Sequence, residues 1–253
     1  MIYRNTRRKF AQNYLKDPAI LIQMGEVIAA KKLDNFLEIG PGLGALTNQI
    51  NMKDIKILGI DIDHKNIEFL KMKFNGPANF DFINEDILKY KICGSNLRII
   101  GNLPYNISTQ IILKLLDSSE HIIDMHFLVQ KEVAEKIIGQ VATKNWGKLA
   151  MKISAFFESE ILFDVPPDAF DIKPKVNSSF IRLLPKKNIA TNLVIKNNLF
   201  KIIDLAFISR RKNIKNNLKS LNINWERMNI DPTKRPEEIS LNNFINLARE
   251  YSV

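Results

Sequence analysis

Residues Phe36–Thr47 read FLEIGPGLGALT. An apolar run ends on Gly40, Gly42 and Gly44 and passes at once into helix-forming residues, the pattern of a strand that turns into a helix. Glycine is needed at such a turn because the backbone bends tightly and a ligand comes close where a Cβ would stand. Gly40, Gly42 and Ala45 also satisfy G-x-G-x-x-A, so on this loop alone a nicotinamide dinucleotide is a fair rival to any other nucleoside cofactor. Further on, ILGIDID ends a second apolar run at Asp61. That is about twenty residues past the loop, the place from which a carboxylate accepts both hydroxyls of a ribose. The alternative is a cluster of turn glycines beside a solvated acid. A third run, NFDFIN, leads to Asp86, which stands where it could meet the exocyclic amine of an adenine; Glu85 beside it reads as solvated.

Between Asn35 and Gln130 the strand-like runs NFLEIG, KILGID, NFDFIN, LRIIGNLP and MHFLVQ alternate with amphipathic stretches such as HKNIEFLKMKF and STQIILKLLDSS. The alternation predicts an α/β fold, a parallel sheet covered by helices, with ligands at the C-terminal edge of the strands. After Gln130, KEVAEKII reads as helix, while LAMKISAFF, ILFDV and SSFIRLLP read as strands that complete the sheet. Near Pro185 the β pattern stops. NLVIKNNLFKIIDLAF, RKNIKNNLKSL and SLNNFINLAREY follow as short helices, the last capped by Ser240. The expected division is an α/β domain over 1–187 and a small helical domain over 188–253.

The fourth strand ends in GNLPYN, on the same edge as Gly40, Asp61 and Asp86. An ordinary turn would use these residue types too. Their position suggests an amine substrate instead. The amino nitrogen of adenine is a poor nucleophile because its lone pair is delocalised into the ring, so its two N–H groups must be held by acceptors if it is to face an electrophile. Asn102 supplies a side-chain carbonyl, and the backbone carbonyl of Leu103 or of Pro104 can supply a second. Proline fixes φ and adds no competing donor. Tyr105 offers a flat face to a base taken out of its stack.

Composition sets the remaining limits. With 253 residues, 45% of them hydrophobic, the chain can fill one ample core and a smaller second unit. A formal net charge of +10 serves solubility or an anionic partner such as nucleic acid. Cys93 stands alone, which excludes an internal disulfide or a multi-cysteine metal site and suits a reducing cytosol. No stretch reaches the roughly 18 apolar residues of a membrane span, and MIYRNTRRKFAQNYL lacks the apolar centre of a signal peptide. A soluble, cytoplasmic protein is expected. His64, His121 and His126 are too scattered to argue for a metal or a general base.

Four separated motifs, FAQNYL, EIGPGLGALT, NLPYNIS and VPPDAFDIKPKVNSSFIRL, resemble the ribosomal RNA adenine N6-dimethyltransferases, in particular the KsgA family. The resemblance implies a Rossmann-like S-adenosylmethionine-dependent methyltransferase sheet with an all-helical C-terminal domain. It also implies that two methyl groups are added to each of two adjacent adenines, in the 3′-terminal hairpin loop of small-subunit (16S) rRNA within a pre-30S particle, by a monomer. Carried over residue by residue, Asn13 and Leu15 close over the cofactor, Gly40, Asp61, Asp86 and Asn102 contact it, and Asn102, Leu103, Pro104 and Tyr105 form the catalytic turn. Phe170 is implied to sandwich the target base against Tyr105. Departures are Ala11 for glycine, Tyr14 for phenylalanine, Asp61 for glutamate and Glu85 for glycine; the shorter Asp61 draws the ribose contact back by one methylene. Arg7 and Arg8 with Arg4 and Lys9, Lys173 and Lys175 beside Phe170, and Arg210, Arg211 and Lys212 with Lys215 and Lys219 are the expected phosphate contacts, with solvated faces as the alternative.

Three readings remain at this point: the dimethyltransferase, with the Erm-type methylases of large-subunit rRNA as close relatives; a nicotinamide-dependent oxidoreductase, which leaves Asn102–Tyr105 unexplained; and a non-catalytic RNA-binding assembly factor, which leaves the cofactor set unexplained.

Overall fold

The computed structural model describes residues 13–52, 54–76, 79–186 and 193–251. Its centre is a seven-stranded sheet in the order β3-β2-β1-β4-β5-β7-β6. The strands are β1 (Asn35–Ile39), β2 (Lys56–Asp61), β3 (Phe80–Asn84), β4 (Leu97–Asn102), β5 (Ile122–Gln130), β6 (Phe157–Val165) and β7 (Ser178–Pro185). Strands β1 to β5 pair in parallel, as the alternating pattern predicts, and β7 pairs antiparallel with β5. The chain runs outward from β1 through β2 to β3 and then returns to place β4 on the other side of β1. The crevice at such a switch point, outside the C-terminal ends of β1 and β4, is where open α/β sheets bind ligands. Gly40 and Asn102 stand at those ends.

Helix α1 (Pro18–Ile28) shows how the sequence builds one wall. Asp17 accepts from the amides of Ala19 and Ile20 at 2.9 and 3.2 Å, Pro18 fills a position whose N–H would be unpaired, and Ala29 ends the helix in the left-handed region. Leu21, Met24 and Ile28, three and four residues apart, all point inward. They join Phe36, Ile57, Ile100, Leu128 and Phe180 in the main core, each buried side chain contributing about 1.5–3 kcal/mol. Helices α2 (Ala45–Ile50), α3 (His64–Lys73) and α4 (Ser108–Leu115) follow β1, β2 and β4.

The chain divides into two compact units. One holds the described residues up to Ala134 together with Glu160–Pro185; the other holds Glu135–Ser159 and the described residues from Lys186 on. The stretch Glu135–Ser159, read from sequence as part of the first domain, clusters with the C-terminal helices instead. Within that second unit the Trp146 indole N–H donates to the Ile239 carbonyl at 2.9 Å, Lys152 Nζ to Asp204 at 2.8 Å and the Lys186 amide to the Phe156 carbonyl at 2.8 Å. LAMKISAFF, expected as a strand, is helix α6 (Lys148–Ser154, after α5, Lys131–Ile137), and the strand begins only at Phe157. Ala150, Met151 and Ile153 are its buried residues, a helical rather than an alternating set. The unit is completed by α7 (Leu193–Ala206), α8 (Ile214–Asn217), α9 (Trp225–Met228) and α10 (Leu241–Glu250), the last capped as expected by Ser240, which accepts from the Asn243 amide at 3.3 Å. RKNIKNNLKSL yields only the four-residue α8. Among the described residues no helix is long and apolar enough to cross a membrane.

Candidate functional site

A cleft of about 720 Å³ opens at the switch point, and Asn13, Gly40, Asp61, Asp86, Asn102, Leu103, Pro104 and Tyr105 all line it. Residues from four strand ends and from the segment before α1 are thus gathered in one place. The walls between them are apolar: Ile39, Ile60, Ile62, Ile87 and Ile111.

The glycine loop sits in the left-handed region, with φ of +66° at Gly40, +56° at Gly42 and +73° at Gly44. The three differ in what they face. A Cβ on Gly42 would lie 2.7 Å from the Tyr14 ring, and one on Gly44 2.7 Å from the Phe74 ring, so both positions are closed by packing. A Cβ on Gly40 would meet only the Asn102 carbonyl at 3.8 Å and would otherwise point into the cleft. Gly40 is therefore the position that keeps a ligand slot open.

Asp61 is 5% exposed and is held by a cage of donors. Its Oδ1 accepts from the Asp63 amide at 2.8 Å; its Oδ2 accepts from the Gly42 amide at 3.1 Å and the Asn66 side-chain amide at 3.0 Å. The Tyr14 hydroxyl in turn donates to Asn66 Oδ1 at 3.0 Å. Burial pushes the Asp61 carboxyl above its ordinary range, and these hydrogen bonds pull it back down. A carboxylate offers about four lone-pair sites, so one place remains, on Oδ1. Asp86 lies just beyond β3 in a turn, its Oδ1 accepting from the Leu88 amide at 2.9 Å and its second oxygen unused in that turn.

In the Asn102–Tyr105 turn, Asn102 Nδ2 donates to the Asn13 carbonyl at 2.9 Å. With its nitrogen committed, the amide presents Oδ1 as an acceptor. The Pro104 carbonyl already takes the Ile107 amide at 3.1 Å as the chain enters α4, which favours the Leu103 carbonyl as the second acceptor. Tyr105 is half-buried, and its hydroxyl lies 2.5 Å from Ser178 Oγ. Behind the glycine loop, Glu38 is enclosed, accepts from Thr47 Oγ1 at 2.6 Å and is pushed up to about 7 by burial.

Two expected site residues stand elsewhere. Phe170 is 0% exposed and packs in the main core, bridged to Leu15, so the structure does not bring it to face Tyr105 across the cleft. The enclosing side chains of the core hold its ring there. Leu15 is buried in the same core and lines a neighbouring cavity behind the glycine loop rather than the cleft itself. Of the basic residues, Arg7 and Arg8, like Arg4 and Lys9, lie outside the described residues. Lys173 is exposed and paired with Asp168 at 2.6 Å; Lys175 is exposed. Arg210, Arg211 and Lys212 are all exposed, and the Arg210 guanidinium donates to the backbone carbonyls of Lys144 and Trp146, both at 3.0 Å, as a structural clasp within the second unit.

Asn66 and Ser178 are not among the residues expected from the sequence. Asn66 carries a weak signal, an amide in the first turn of the helix after Asp61; Ser178 is 73 residues from Tyr105 and carries none.

A model of the family described as ribosomal RNA adenine dimethylase matches residues 3–252. The chain is 41% identical over 248 residues to a ribosomal RNA small subunit methyltransferase A of Legionella pneumophila (strain Corby), with 96% of each chain covered. A dimethyladenosine transferase from Plasmodium falciparum has a similar structure, with a TM-score of 0.81 at 25% identity over 92% of this chain and 95% of that one. The 23S rRNA methyltransferase ErmE shares the fold, with a TM-score of 0.75 at 21% identity over 94% and 98% of the two chains.

Proposed function

The chain belongs to the ribosomal RNA adenine dimethylase family, and from that premise we propose that its cleft binds S-adenosylmethionine and an extruded adenine of small-subunit rRNA, whose N6 amine is methylated twice. The observation that carries this reading is the Asn102 amide. Its nitrogen is tied to Asn13, so its oxygen is free to accept one N6 hydrogen while the Leu103 carbonyl accepts the other. Two acceptors at fixed places turn the amine's lone pair out of the ring and toward the donor, which is catalysis by orientation.

The residues present fit the cofactor. Gly40 leaves the slot open, Asp61 Oδ1 has one place for a ribose hydroxyl, Asp86 has an oxygen for the adenine amine, and the isoleucines cover the ring faces. When bound, the cofactor supplies an electrophilic methyl on a sulfonium sulfur. Around it the chain excludes water with its apolar wall, and Tyr105 offers the target base a stacking face. The pair of adjacent adenines in the 3′-terminal loop, the pre-30S particle, the single acting chain and the cytoplasmic setting rest on the resemblance and on the small-subunit relative. Calorimetric titration tests the cofactor: the reading expects saturable binding of S-adenosylmethionine and none of NAD, and the reverse would return the loop to a dinucleotide.

A further inference from the structure

The motif KVNSSF takes no part in the reaction derived above, yet its first serine reaches the catalytic turn. Ser178 opens β7, stands opposite Gln130 of β5 and is fully buried. The next residue, Ser179, points to the other face of the sheet, as alternation requires, and donates to Asp164 Oδ1 at 2.7 Å. Asp164 Oδ2 accepts from Lys131 Nζ at 2.5 Å, and the Lys131 amide donates to the Asn177 carbonyl at 3.0 Å. The start of β7 is thereby pinned on both sides, so the Ser178 hydroxyl has a fixed place. It meets the Tyr105 hydroxyl at 2.5 Å.

We propose that Ser178 is a positioning residue for methyl transfer, anchoring the tip of the Tyr105 side chain so that the ring stays where the target base meets it. A tyrosine held only at its Cα can move between staggered χ1 rotamers; a second point of attachment at the hydroxyl, on the long axis of the ring, holds the side chain in one of them. Burial pushes the Tyr105 phenol up, and the Ser178 contact pulls it part of the way back. The inference rests on the reading of Asn102–Tyr105 as the place of methyl transfer.

Ser178→Ala and Tyr105→Phe, alone and together, test it by single-turnover methyl transfer to small-subunit particles from a strain lacking this modification, beside titration with S-adenosylmethionine. Each single variant should slow transfer about tenfold, less than the hundredfold of a gross misplacement because the ring itself is kept. Cofactor affinity should not change, and the double variant should be no slower than either single one, since both remove one shared contact. Ser178→Thr, which retains a hydroxyl, should recover most of the rate. Full-rate transfer by Ser178→Ala, or losses that simply multiply in the double variant, would overturn the anchor while leaving the functional reading intact. If Ser178→Ala does not fold, Tyr105→Phe decides: a wild-type rate would show that the hydroxyl contact is idle. A wild-type chain that transfers no methyl at all overturns the functional reading and the anchor with it.

Discussion

The cleft and the basic stretch Ser209–Lys219 use charge in opposite ways. At the cleft, Asp61 is 5% exposed and carries three hydrogen bonds of 2.8 to 3.1 Å from Asp63, Gly42 and Asn66. Along the other stretch, Arg211, Lys212, Lys215 and Lys219 are exposed. Enclosed groups with fixed partners recognise a ligand by shape and lose much when one atom is removed. Exposed charges attract a polyanion over a distance, and each contributes a small, salt-sensitive share. Arg210 is exposed like its neighbours in sequence but has fixed partners, because its guanidinium is engaged by two carbonyls.

If that contrast is right, the largest effect should come from the turn. Asn102→Ala is expected to lower single-turnover methyl transfer at least about a hundredfold, the scale of losing one positioned polar group in a water-poor site, with RNA binding retained. Asp61→Ala should weaken S-adenosylmethionine binding by roughly 1.5–3 kcal/mol, read by calorimetry, since it removes a charged acceptor and strands the Gly42 and Asn66 donors. Glu38 sharpens the comparison through pH. Its folded pKa of about 7 lies above the ordinary 4.5, so between these values the folded chain holds more protons than the unfolded one. Stability is then fullest below about pH 4.5 and declines as pH rises toward 7; Glu38→Gln should remove this decline, on the order of 2 kcal/mol in denaturant unfolding at the two pH values. The smallest effects belong to the basic stretch. Arg211→Gln with Lys212→Gln should reduce the slope of log RNA affinity against log salt by up to about 0.9 per contact and leave cofactor affinity alone. Arg210→Gln should instead lower the melting temperature, by the worth of about 1–2 kcal/mol, with little change in that slope.

How much of this was legible beforehand follows the same division. Strands β1 to β4 and their polar ends were readable because each is an apolar run that stops on a glycine, an acid or an amide, and local pattern decides both facts. Gly40, Asp61, Asp86 and Asn102 consequently came together as expected. LAMKISAFF misled because Leu149, Met151 and Ile153 alternate as a strand would; the choice of helix is made with partners far along the chain, such as Asp204 for Lys152. The resemblance places Phe170 against the base, but its enclosure in the core depends on Leu15 and the residues around it, which no local motif reports. Ser178 is the clearest case. A contact between residues 73 positions apart exists only once β7 has paired with β5.

The measurement that bears most directly on the account is methyl transfer from labelled S-adenosylmethionine to small-subunit particles that lack the modification, followed by mapping of the methylated bases. The expected product is dimethylated N6 on two adjacent adenines of the 3′-terminal loop, abolished by Asn102→Ala. Label in protein or in other bases, or an unchanged yield from Asn102→Ala, would contradict it.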